Sequence, residues 1–134
     1  MKSSGYSEAA KAFAKAKDAI KNAEYDLKGG FVLATANRAY YACYYCMVSL
    51  LYTKGIYAKT HHGIRAKFSE QFIKTGIFPL PISDSLALLF DSRQEADYDL
   101  DADITIDEAN NLTQKAKEFV QLTEQYYQDH GITD

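Results

Sequence analysis

The chain has 134 residues, 47% of them apolar and 25% charged, with a formal net charge of −3 at pH 7. This composition excludes disordered, collagen-like and low-complexity classes, fits a single domain over residues 1–134 with an ordinary core, and gives no general attraction for nucleic acid. The N-terminal stretch MKSSGYSEAAKAF has no apolar signal-peptide core, and the longest nearly uncharged apolar run, 39–52, is too short to span a bilayer. A cytoplasmic protein without membrane contact is expected.

In chain order, alanine-rich sequence from about Ser7 to Lys28 predicts a first helix, with Ala10, Phe13, Ala14, Ala16, Ile20, Ala23 and Leu27 as its apolar side and Gly29-Gly30 as its stop. A second helix is predicted from about Val32 to Lys54, ending at Gly55. It is apolar nearly all round its middle, which marks the central helix of a bundle. Along it Ala36, Ala39, Cys43, Cys46 and Leu50 form a seam of mostly small side chains, suited to close helix–helix approach. Cys43 and Cys46 have the spacing of zinc and redox sites, but they lie within this apolar run and no second cysteine pair exists, so both read as small buried residues.

After a short loop from Ile56 to Thr60, a third helix is predicted from about His61 to Thr75, closed by Gly76. Thr60 reads as its N-cap, with His61 packed on the second helix and His62 exposed. The segment from Ile77 to Ile82 carries Pro79 and Pro81 and reads as a connection, with Ser83 capping a fourth helix that reaches about Tyr98. The acidic DLDADI is a loop. Thr105 and Glu108 then form a capping-box pattern that opens a fifth helix, ending before Gly131. The expected fold is all-α, an up-and-down four-helix bundle with an additional short helix. No Glu stands three residues before His61, His62 or His130, so the carboxylate-bridged metal sites of some bundles are not expected, nor is any other metal or cofactor.

Two features run against this pattern. The charges are segregated: residues 54–74 hold five Lys or Arg against Glu70, and 91–108 hold eight acids against Arg93. At about 100° per residue, Arg93 and Asp97 also fall on the same stripe of the fourth helix as Leu86, Leu89, Phe90 and Leu100. The second helix repeats the anomaly, since Arg38 shares a stripe with Ala34, Tyr41, Tyr45, Val48 and Tyr52, while Asn37 shares the neighbouring one with Tyr40, Tyr44, Met47 and Leu51. Buried charge must be paired or open onto water. The stripes therefore predict either an internal network around Asp97 or a cleft in which Arg38, Arg93 and Asn37 meet a phosphate or carboxylate, with Asp97 orienting the arginines and Tyr41 and Tyr45 bordering them.

Three motifs carry a resemblance: NRAYYACYYCMVSLLYTKG in the second helix, KTHHGIRAKFSEQFIKTGIFP in the third, and SRQEADYD in the fourth. Together they resemble the HEPN family of helical-bundle domains, in its small stand-alone prokaryotic form. The resemblance implies a homodimer; the second and fourth helices, which carry the polar stripes, are the expected sides of its cleft. The resemblance also implies an RNA- or nucleotide-binding module that acts with a minimal nucleotidyltransferase in a toxin–antitoxin-like system. One alternative is a metal-independent endoribonuclease toxin; the other is a non-catalytic, partner-binding helical dimer. In the family's ribonucleases an Arg is followed by a His after four to six residues, the Arg stabilising phosphorane charge and the His moving protons. Arg93 matches that Arg, but no His lies between Ala96 and Ile104. Tyr98 stands at the matching position, with His61 as the other candidate for the missing role.

Overall fold

Small side chains set the geometry of the first helix pair. In the computed structural model, which describes residues 4–132, α1 (Ser4–Lys28) buries Ala9, Ala12, Ala16, Ala19 and Ala23, and α2 (Val32–Thr53) buries Ala36, Ala39, Ala42, Cys43 and Cys46 with no exposed surface. With so little volume between the backbones, α1 and α2 make the most extensive helix contact of the chain. The turn between them is a Schellman motif: Gly30 takes φ +79°, and the Phe31 amide donates back to the Asp26 carbonyl at 2.9 Å.

The remaining helices close around α2. The short α3 (His61–Phe68) starts as expected, with the Thr60 hydroxyl accepting from the Gly63 amide at 2.9 Å. It does not run on to Thr75 as one α-helix. Residues Ser69–Ile73 form a wider π turn, closed by the Lys74 amide donating to the Ser69 carbonyl at 2.9 Å. Phe68, just before that turn, and Phe72, within it, both enter an aromatic cluster with Phe78, Phe119 and Tyr126.

Helix α4 (Pro81–Tyr98) corrects a second expectation. It begins two residues before Ser83, with Leu80 at the N-cap and Pro81 in the first turn, where the missing N–H and fixed φ of proline fit a helix start. Ser83 caps nothing, and Pro81 and Ile82 belong to the helix. Helix α5 (Ile106–Asp129) opens with the expected capping box, Thr105 and Glu108 bonding reciprocally at 3.1 Å. The result is an all-α bundle of α1, α2, α4 and α5 with α3 as the additional short helix, and no strand among the described residues. None of these helices is long and apolar enough to cross a membrane.

Both cysteines are fully buried and free, as expected. Burial pushes the Cys46 thiol up to about 12 and holds Cys43 well above its ordinary value.

Candidate functional site

The polar residues of α2 and α4 converge where the two helices face each other. Arg38 donates from Nε and Nη2 to the Asn37 side-chain carbonyl, at 2.9 and 2.7 Å. The Asn37 amide in turn donates to both oxygens of Asp97, at 3.2 and 3.0 Å. The other face of Asp97 meets Arg93, with Nε 3.1 Å from Oδ2, and Arg93 Nη2 donates to the Tyr41 hydroxyl at 2.9 Å. One polar chain thus runs Arg38, Asn37, Asp97, Arg93, Tyr41, and links two arginines through a single carboxylate.

This network leaves Arg93 incompletely satisfied. Its side chain is 11% exposed, and the Nε–H is not aimed along the line to Asp97, so the close approach is an ion pair in which the buried Nε lacks a hydrogen-bond acceptor. Among the described residues the guanidinium makes one hydrogen bond, the one to Tyr41. It also lies within 5.6 Å of the ring centroids of Tyr40, Tyr41 and Tyr98. Burial works against the charge, but the Tyr41 hydroxyl and Asp97 outweigh it and hold the Arg93 pKa above its ordinary value.

His61, at the first position of α3, joins this group. Its ring stacks on Tyr44 with centroids 4.3 Å apart, its Nδ1 lies 2.9 Å from the Tyr40 hydroxyl, and its edge meets Tyr41. Burial lowers its pKa, and the Arg93 charge lowers it further, which keeps the imidazole neutral to lower pH than usual. Tyr40 is 1% exposed, and burial pushes its phenol up to about 12, so it stays protonated.

Of the residues singled out from sequence, Arg38, Asn37, Asp97, Arg93, Tyr41 and His61 form one connected cluster. Tyr98 borders it from solvent, 70% exposed, with only the Arg93 guanidinium over its ring. Tyr45 stands apart: it lies toward α1, beneath Lys15, and touches the cluster only through Tyr41 and Tyr44. Tyr40 and Tyr44, which hold the imidazole, were not singled out. The signal for them was the Asn37 stripe on α2, which they share one and two turns on. Arg65 was another omission. Its guanidinium lies 4.0 Å from the Phe90 ring centroid, and its charge acts on Tyr40, as does that of Arg93. Among the described residues no group of three or more His, Cys, Asp or Glu is placed to share a metal ion.

Comparison with known proteins agrees with this architecture. The HEPN domain family matches residues 9–126. A protein of Methanocaldococcus jannaschii named "Putative toxin MJ0142" is 32% identical over 112 residues, covering 84% of this chain and 76% of its own length. A "UPF0332 protein" of Thermotoga maritima is 27% identical over 115 residues, covering 86% of this chain and 87% of its own.

Proposed function

The chain belongs to the HEPN domain family, and from that membership and the Arg93 cluster we propose that it is a toxin-like RNA-binding module whose phosphate-binding group is Arg93. The observation that carries the proposal is the state of that guanidinium. It is oriented by Asp97 and Tyr41, lies beside three tyrosine rings, and among the described residues makes a single hydrogen bond, from Nη2 to Tyr41, which leaves Nη1 without a protein acceptor. A phosphate oxygen would complete it in the fork geometry that lysine cannot offer. The rings of the half-buried Tyr41 and the exposed Tyr98 suit unpaired bases, which stack on aromatic faces. The half-buried stripe of Tyr41, Tyr45 and Tyr52 suits the homodimer that the family resemblance implies, and a minimal nucleotidyltransferase is the accompanying partner in this reading.

The test is to incubate purified protein and Arg93→Ala with end-labelled single-stranded RNA in EDTA, resolving complexes and products on gels. Retention by the wild type that is lost in the variant supports the proposal. Intact RNA without retention overturns it and turns attention to a protein partner.

One observation favours a second reading, metal-independent cleavage: the His61 ring meets Tyr41, the hydrogen-bond partner of Arg93, and feels the Arg93 charge, which makes it the candidate for the imidazole absent after Arg93 in sequence. In this reading His61 takes the proton of a ribose 2′-hydroxyl, which attacks the adjacent phosphorus, and Arg93 stabilises the charge on the phosphorane. The P–O5′ bond breaks, the leaving oxygen takes a proton from the Tyr98 phenol, the His61 imidazolium gives its proton up to water, and the solvent-exposed Tyr98 phenolate takes one back from water. The products are a 2′,3′-cyclic phosphate and a 5′-hydroxyl. RNA ending in cyclic phosphate, formed in EDTA and lost in both Arg93→Ala and His61→Ala, is its signature.

A further inference from the structure

A cleft of about 280 Å³ lies between α3, the π turn and α4, lined in part by Arg65, which stacks on Phe90. Its floor is apolar, formed by Met47, Phe68 and Leu86, and its rim carries four polar side chains: His62, Arg65, Ser69 and Ser83. Among the described residues none of these four makes a side-chain hydrogen bond or ion pair to the protein. Arg65 has no carboxylate partner and is held in place by stacking on Phe90, with its guanidinium 4.0 Å from the ring centroid. The cleft sits in the basic segment 54–74, whose single acid is Glu70.

Resting on the RNA-binding reading above, we propose that this cleft is a second phosphate subsite, in which Arg65 takes another phosphate of the strand held at Arg93, so that the ligand is an oligoribonucleotide rather than a mononucleotide. The two guanidiniums are linked through a short aromatic path. Arg93 lies 5.5 Å from the Tyr40 ring, Tyr40 meets Phe90 edge-on at 5.8 Å, and Arg65 covers Phe90. Both arginine charges act on the Tyr40 phenol. A strand passing over the half-buried Phe90 would have one phosphate at Arg93 and another at Arg65, with the hydroxyls of Ser69 and Ser83 and the His62 ring free to donate to the second. The π turn beginning at Ser69 forms one wall of the cleft, a position at which such turns recur in functional sites.

The experiment is fluorescence anisotropy in EDTA with a 2′-O-methyl oligouridylate, which cannot be cleaved by its own 2′-hydroxyl, and with uridine monophosphate as competitor. Arg65→Gln is expected to weaken oligouridylate binding about tenfold and to reduce the slope of log affinity against log salt by about 0.7, the loss of one phosphate contact on a single strand. Its affinity for uridine monophosphate stays at the wild-type value. Arg65→Lys, which keeps the charge, keeps the salt slope. Oligouridylate binding that depends on Arg93 but is unchanged in Arg65→Gln overturns the second subsite and leaves the RNA-binding reading intact. Failure of the wild type to bind oligouridylate overturns both. Thermal melts of both Arg65 variants show whether each is folded, and a folded Arg65→Lys that behaves like Arg65→Gln also counts against a phosphate contact.

Discussion

His61 Nδ1 lies 2.9 Å from the Tyr40 hydroxyl, a bond between the first residue of α3 and the middle of α2 that fixes the imbedded edge of the imidazole and leaves Nε2 as the free ring nitrogen. The orientation places the His61 ring in the field of Arg93, whose charge adds to burial in lowering its pKa. Removing that charge relieves the second cause and keeps the first.

In Arg93→Gln, therefore, the His61 pKa is expected to move upward toward its ordinary value while remaining below it. Titration of the His61 ring protons by NMR, wild type against variant, reads this directly. An unchanged value would show that burial alone sets it and that the two groups are electrostatically independent.

The stability of Arg93→Ala separates a binding arginine from a structural one. A fully buried ion pair loses about 3–5 kcal/mol when one partner is removed, because the other charge is stranded. Here Asp97 is 28% exposed at its side chain and keeps both hydrogen bonds from Asn37. The expected loss is about 1–2 kcal/mol, the scale of a charged hydrogen bond with a solvated survivor. Urea unfolding measures it. A loss of about 4 kcal/mol would make the arginine chiefly a structural element of the bundle.

The thiols give a third prediction. Cys43 and Cys46 are fully buried in the seam of α2, with pKa values raised by burial, and Thr123 is the hydrogen-bond partner of Cys46. Native protein is expected to leave both unmodified by a thiol reagent, and unfolding in denaturant is expected to expose two equivalents. Rapid labelling of the native chain would contradict the packing.

The bundle was legible because its signals are local and periodic. The small residues of α2, the Gly29-Gly30 stop and the Thr105–Glu108 box each act within a few residues of where they are read. The start of α4 was misread because Ser83 and Pro81 are both good start signals, and choosing between them depended on how far the chain had already turned after Phe78. The π turn was invisible, since Ser69 to Ile73 carries an ordinary helical pattern and the extra residue appears only once Phe68 and Phe72 meet the aromatic cluster. In the site, Arg93 and Asp97 announced themselves as charges on an apolar stripe. Tyr40, Tyr44 and Arg65 did not, because a tyrosine on a core stripe reads as packing and a basic residue in a basic segment reads as solvated; their roles depend on where α3 crosses α2 and α4.

The pH dependence of stability takes its sign from the direction of the His61 shift. In the folded protein burial and Arg93 hold the His61 pKa below 6.5, the value it returns to when the chain unfolds. Between those two values the unfolded chain carries the proton and the folded one does not, so unfolding takes up a proton and stability rises with pH. The contribution is complete above 6.5 and is lost as the pH falls through the folded value. His61→Gln removes the titration while its amide can still meet the Tyr40 hydroxyl. Urea unfolding of both proteins between about pH 8 and about pH 5 is expected to show wild-type stability falling relative to the variant through the acid half of that range, with no relative change at the alkaline end. The Tyr40 and Tyr44 phenols against the ring and the Arg93 guanidinium that acts on it are all held above their ordinary values, far above this window. A relative curve that is flat, or that slopes the other way, would mean that the imidazole is not held in this pocket.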